Sequence, residues 1–251
     1  MDMVRGPQIA EAGLADWRKL AQGLHARFLV DDFGAAARFV AAVGKEGDEV
    51  GHHPRARIGS GHVDLELVTT DAVYRDDEGT EHVVEWVTQQ DVDLARRVSE
   101  VAAAHGLRAD PTAVSEVELG LDVAQSATVA PVWAALLTGD ASAQGRGTPS
   151  DEVRDATVRV PNLWFGDVDS ETDAADGPGP HSGAAASDSS RQRFHVEVYV
   201  APEVVAERVE AAVAAGATIV DDSESPGLTV LADPEGNRGV VCADTSAAPS
   251  A

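Results

Sequence analysis

The hydrophobic pattern changes character once along this chain, near residues 107–111, and no single core serves both sides of the change. Upstream it reads helix, strand, helix, strand, a charged interruption and a last helix. Downstream a strand–helix–strands rhythm runs twice. A helix stripe or a strand face must be buried against a neighbouring element, so two patterns call for two cores. The length of 251 residues fits two domains.

In the first part, Leu14, Trp17 and Leu20 predict a short helix within residues 8–22, closed near Gly23. Residues 25–30 alternate enough for a strand. Asp31 or Asp32 can cap the next helix, because a short carboxylate accepts the free amide protons of a first turn. That helix carries Phe33, Ala36, Ala37, Val40 and Val43 at three- and four-residue spacing. Val63, Leu65, Leu67 and Thr69 alternate with polar neighbours, the period-two mark of a half-buried strand. Residues 74–85 interrupt the pattern with charge. Thr88 then starts a helix with Leu94, Val98 and Val101 on one face, ending at Gly106, and residues 107–111 read as a linker.

In the second part, a strand at 116–122 leads into a helix with Trp133, Leu136 and Leu137, stopped by Gly139, with weaker strands at 151–160 and 162–168. The second copy starts with a strand at 194–200 and a helix with Pro202 in its first turn, where a missing amide proton costs nothing. Val205, Val209 and Val213 form its stripe, Gly216 ends it, and strands fit 217–221, 227–232 and 238–243. Residues 166–192 are rich in Gly, Ser, Asp and Ala with no apolar period and read as a mobile loop, and the residues from Asp244 on read as a loose tail.

Composition excludes several functions. With 43 acidic residues against 19 basic ones, a net charge of -24, the surface cannot release counterions from a phosphate backbone, so nucleic acid is not an expected partner. Anionic membranes would be repelled in the same way. A single cysteine, Cys242, rules out an internal disulfide and a cysteine-cluster zinc site. No signal-peptide-like or membrane-length apolar run is present, so a soluble, cytoplasmic protein is expected.

Chemistry in the first part centres on His52-His53-Pro54, with Asp48 four residues before the first histidine. Imidazole is the side chain that exchanges protons near neutral pH, and proline fixes the backbone behind the pair. An exposed pair without a task is the alternative on spacing alone. The ordered set Asp48, His52-His53-Pro54, Leu67-Val68-Thr69-Thr70-Asp71 and Val87-Thr88-x-x-Asp91-x-x-Leu94-Ala95 resembles the pterin-4a-carbinolamine dehydratase family over roughly residues 8–107. Phe28, Asp32-Phe33, Ala36 and Phe39-Val40 fit the same resemblance.

The resemblance implies dehydration of a 4a-hydroxytetrahydropterin to the quinonoid dihydropterin, without metal or organic cofactor. An acid protonates the leaving hydroxyl and a base accepts the ring nitrogen's proton. His52 and His53 would be the acid–base pair and Asp91 the third member of the catalytic set. Asp48 and Asp91 would orient the histidines, with Asp48 and Thr70 at the substrate.

Three positions depart from the family pattern. Thr70 stands where a third histidine is usual, Ser60 where an aromatic is expected, and the stretch 73–85 replaces a short Gly-Gly turn. His82, inside that stretch, could fold back to supply the missing imidazole. His62 shares a strand face with Thr70, but eight residues at about 3.3 Å each separate them by roughly 26 Å.

In the second part, Pro161-Asn162-Leu163-Trp164-Phe165, residues 194–200, Ala215-Gly216-Ala217 and Leu231-Ala232-Asp233-Pro234-Glu235-Gly236-Asn237 resemble the glyoxalase/bleomycin-resistance group of the vicinal oxygen chelate superfamily. This resemblance covers about 112–244 and implies two βαβββ copies curled into a cupped sheet. Metal-dependent relatives carry a ligand on the first and last strand of each copy. Aligning the copies makes Glu116 the counterpart of His195, while Gly166 and Val240 fall at the last-strand positions and cannot coordinate through a side chain. A metal-free cup is therefore expected, with His195 as a satisfied strand residue.

The expected fold is α+β: a dehydratase-like α/β sandwich domain at 8–107, then a glyoxalase-like paired βαβββ domain at 112–244. The expected partner is a pterin-like small molecule. A non-catalytic binding protein that uses the cup, and a homo-oligomerisation unit, are the alternatives.

Overall fold

The computed structural model describes residues 1–145, 152–155, 160–167, 193–234 and 236–246. Most of the segment read as a mobile loop, residues 168–192, lies outside the described residues, as does the tail beyond 246.

The N-terminal fold opens with α1 (Gly6–Glu11), β1 (Arg18–Leu20), β2 (Gly23–Leu29) and α2 (Phe33–Val50). The helix expected at 8–22 is therefore cut short. Leu20 belongs instead to an extended edge, where β1 pairs antiparallel with β2, while the Trp17 amide closes a turn on the Leu14 carbonyl just before it; both side chains are buried. Asp32 caps α2, its carboxylate accepting from the Ala35 amide at 2.8 Å.

β3 (Arg55–Gly59) and β4 (His62–Leu67) follow as a hairpin. β5 (Thr69–Arg75) and β6 (Glu81–Trp86) form a second hairpin in the stretch read as a charged interruption. Its turn is organised by Asp76, whose carboxylate accepts from the amides of Glu78 and Thr80. α3 (Gln89–Ala104) and β7 (Arg108–Ala109) complete this part. The segment read as a linker thus contributes a strand, since β7 pairs with Phe28 and Leu29 of β2.

The first sheet runs β1-β2-β4-β3, with β7 also on β2. α2 and α3 cover one face through Phe28, Phe39, Leu65, Val92, Leu94 and Val98, all buried in one cluster. The other face carries His25, Arg27, Asp64 and Glu66, the opposite residues of the same alternation.

The C-terminal fold is built from β8 (Ser115–Val123), α4 (Ser126–Thr138), β9 (Glu152–Val153) and β10 (Leu163–Asp167), then β11 (Phe194–Val200), α5 (Val205–Ala214), β12 (Thr218–Glu224), β13 (Leu228–Ala232) and β14 (Arg238–Cys242). Together the strands make one sheet in the order β12-β13-β14-β11-β8-β10-β9. The copies meet where β8 pairs antiparallel with β11, in a register centred on Glu118 opposite Glu197. Within each copy the last strand lies parallel to the first, β10 on β8 and β14 on β11. α4 and α5 cover one face of this sheet over two separate apolar clusters.

Candidate active site

Two helix ends build the site. α2 stops at Gly51, which takes the left-handed conformation at φ 67°, and the His52 amide returns to the Gly47 carbonyl at 3.1 Å. That return brings the histidine loop hard against the helix. A Cβ on Gly47 would lie 2.6 Å from His53 Cδ2 and 2.8 Å from the His52 carbonyl oxygen, so only glycine fits there.

α3 begins beside it. Thr88 is the N-cap, in a capping box with Asp91. The Gln90 side chain donates to the Val50 carbonyl at 3.0 Å, tying the two helix ends together.

Asp91 is fully buried and takes hydrogen bonds from four donors. His52 Nε2 lies 2.6 Å from Oδ1. Oδ2 accepts from Thr69 Oγ1 at 2.7 Å, from the Thr88 amide at 2.7 Å and from Thr88 Oγ1 at 3.0 Å. An ionised carboxylate only accepts, so His52 donates through Nε2 and keeps Nδ1 as the nitrogen that can take up a proton. Asp91 has no exposed surface, so it can meet a bound molecule only through His52.

His53 is held differently: its Nε2 meets Asp48 Oδ1 at 2.9 Å in an exposed pair. The two candidate histidines therefore have separate carboxylates, one dry and one wet.

At the start of β5 the alternation sends Thr69 inward to Asp91 and leaves Thr70 exposed, on the wall of a large cleft. His82 does not fold back to replace an imidazole at Thr70. It pairs with Asp76 at 2.9 Å inside its own hairpin and stacks on Tyr74 with ring centroids 5.9 Å apart. That hydrogen bond holds the Asp76 carboxyl below its ordinary range. His62 faces Asp64 at 3.8 Å on β4.

On the second sheet, His195 lies 3.5 Å from Glu197 and packs edge-on to Trp164. The equivalence of Gly166 and Val240 does not hold. Gly166 lies against Asp122, whereas Val240 lies against Glu197, the counterpart of Glu118. The residue beside Glu118 is Asn162, whose amide donates to that carboxylate at 3.0 Å. Register is fixed by the pairing ladder, which counting along weak strands missed by four residues. Among the described residues, no group of three or more His, Cys, Asp or Glu could hold a metal ion.

Residues 5–101 match the family described as pterin 4 alpha carbinolamine dehydratase. A protein of Thermosynechococcus vestitus (strain NIES-2133 / IAM M-273 / BP-1), named "Putative pterin-4-alpha-carbinolamine dehydratase", is 30% identical over 91 residues, covering 36% of this chain and 83% of the relative. The chain belongs to the pterin-4a-carbinolamine dehydratase family. Its second part is a glyoxalase-like domain, matched over residues 118–242. The crystal structure of a transcriptional coactivator/pterin dehydratase from Brucella melitensis aligns with a TM-score of 0.33 and 24% identity, over 40% of this chain and 99% of that one.

The structure pairs each of the two candidate histidines with one of the two aspartates named beside them in the sequence. The sequence pattern places Thr69 and Thr88 only in a strand and at a helix start, and does not single out Gly47. The Thr-x-x-Asp spacing at 88–91 was the available signal for the Thr88 bonds to Asp91, because it is a helix-start signature.

Proposed function

We propose that the dehydratase-family domain, placed at residues 8–107 with β7 at its edge, dehydrates a 4a-hydroxytetrahydropterin to the quinonoid dihydropterin and water. The carbon–oxygen bond at C4a breaks as an acid protonates the hydroxyl, and a base takes the proton from the ring nitrogen. His52 and His53 supply these two proton transfers. Asp91 positions His52, and Asp48 does the same for His53 beside the substrate.

The observation that carries this reading is the His52–Asp91 pair. A buried carboxylate with four donors selects one tautomer of one histidine and fixes its ring. Such a fixed general acid–base group is worth about 10²–10⁴ in rate.

Thr70 favours a second reading, a domain that binds a pterin-like ligand and turns it over slowly or not at all. A threonine hydroxyl hydrogen-bonds but does not exchange protons usefully near neutral pH. The test compares dehydration by the unaltered protein, His52→Ala and Thr70→His. The dehydratase reading expects His52→Ala to lose the acceleration. An inactive parent that gains activity on Thr70→His would instead support the binding reading.

A further inference from the structure

The open face of the first sheet stands against the helix-free face of the second, and between them lies a cavity of about 650 Å³. That volume is in the range of small-molecule sites. His25 and Glu66 line it from the first sheet and Glu116, Glu118 and Asn162 from the second, while His52, His53 and Asp91 do not line it.

The charged lining of this cavity is mostly acidic, with Glu66, Glu85, Glu116, Glu118, Asp140 and Asp155 against Arg55, Arg57 and Arg154. The guanidinium groups of Arg55 and Arg154 are engaged with Glu66, Glu85 and Glu152. Glu118, 2% exposed, is a buried carboxylate beside Asn162. Asn162 Oδ1 is buried with no hydrogen-bond partner among the described residues, an acceptor in want of a donor. His25, 7% exposed, uses one ring nitrogen on the Leu20 carbonyl, so its other nitrogen is also an acceptor.

Glu116 and His25 line a smaller adjoining hollow as well. Burial, with the charges of Glu66 and Glu118, pushes the Glu116 carboxyl up to about 7 against the opposing pull of Arg57.

We propose that this cavity binds a small organic molecule with a flat amidine-type N–H edge, a guanidine or amidine cation above all, seated on the Glu116 carboxylate. A carboxylate accepts two parallel N–H bonds from such an edge, and the cation relieves the repulsion among Glu66, Glu116 and Glu118. Asn162 and His25 provide further acceptors. His52, His53 and Asp91 stay outside this cavity while Thr70 stands on its wall, so the seat on Glu116 differs from the His52 site in its acidic lining, and it gives the glyoxalase-like domain a ligand class.

The test is calorimetric titration of the full chain at pH 8 with benzamidine, with agmatine and with 2-amino-4-hydroxypteridine, whose aminopyrimidine edge offers the same donors. One cation should bind at one per chain, unchanged in His52→Ala. Glu116→Gln should weaken it about tenfold or more. Binding should also weaken between pH 8 and pH 6 as Glu116 takes a proton in the field of Glu66, Glu118, Arg57 and neutral His25. If Glu116→Gln does not fold, Ser115→Trp, on the same wall, should block binding instead. Absence of binding by both cations, or equal binding in a folded Glu116→Gln protein, overturns the proposal. Binding of the pteridine alone, lost in His52→Ala and kept in Glu116→Gln, also overturns it and leaves the dehydratase reading standing.

Discussion

Asp91→Asn changes the site without changing its shape. The amide still accepts through its oxygen, and the Thr88 amide, an obligate donor 2.7 Å away, holds that oxygen in place. The NH2 then faces His52 Nε2 in place of the Oδ1 that now lies 2.6 Å from it. Two donors cannot share one bond, so Nε2 must become the acceptor and the ring proton moves to Nδ1. The tautomer that could take up a proton at Nδ1 is lost. A general acid–base group contributes about 10²–10⁴ in rate, which is roughly 3–5 kcal/mol of barrier.

The same change weakens hydrogen bonds to a buried charge, each worth about 1.5–3 kcal/mol, so unfolding stability should fall by about 2–4 kcal/mol. The assay is kcat and KM for dehydration beside denaturant unfolding, on folded protein. The expected pattern is a kcat at least a hundredfold lower with little change in KM. A kcat within threefold of the parent, in a protein that does lose stability, would refute the tautomer argument and leave Asp91 a structural residue.

Three further outcomes follow from the same geometry. His25 is pushed down to about 3 by burial, so the folded protein holds it neutral while the unfolded chain protonates it below pH 6.5. Its contribution is therefore lost as pH falls through that window, at up to about 1.4 kcal/mol per unit, and roughly 2 kcal/mol is gone by pH 5. The stability difference between pH 7 and pH 5, from urea unfolding, should shrink by that amount in His25→Gln; an unchanged difference would contradict the assignment.

Gly47→Ala gains about 1 kcal/mol of helix propensity but collides with the histidine loop at an overpacking cost of about 1–3 kcal/mol. Its melting temperature should fall, by a net cost of up to about 2 kcal/mol, while kcat falls at least tenfold, and equal kcat would show that the close approach is not needed. Thr70→His should raise dehydration activity if the third imidazole is what the site lacks, read as kcat at pH 7, and no gain in a folded protein would show that Thr70 does not limit the rate.

Much of this architecture was legible because period and punctuation agreed. The 3.6-residue stripes of α2 and α3, with Asp32 and Thr88 before them, marked both helices that frame the site. Strong alternation marked β4 and β11. The departure at residues 14–20 has a physical cause: Trp17 and Leu20 fit a helical stripe equally well, and only the pairing of Arg18–Leu20 with β2 decides for an extended edge. The β5–β6 hairpin hid because its strands expose charged side chains, and its turn depends on one carboxylate, Asp76, reading backbone amides. The missing imidazole at Thr70 was visible in the sequence. Its direction, toward the cleft between the two sheets, is a property of packing that no local pattern carries.

Proton transfer by the histidine pair is measured most directly as the decay of a 4a-hydroxytetrahydropterin generated in situ and followed spectrophotometrically at pH 8. Decay should run faster than the spontaneous rate and rise linearly with protein concentration. Decay that stays at the spontaneous rate at all protein concentrations would contradict this proton transfer.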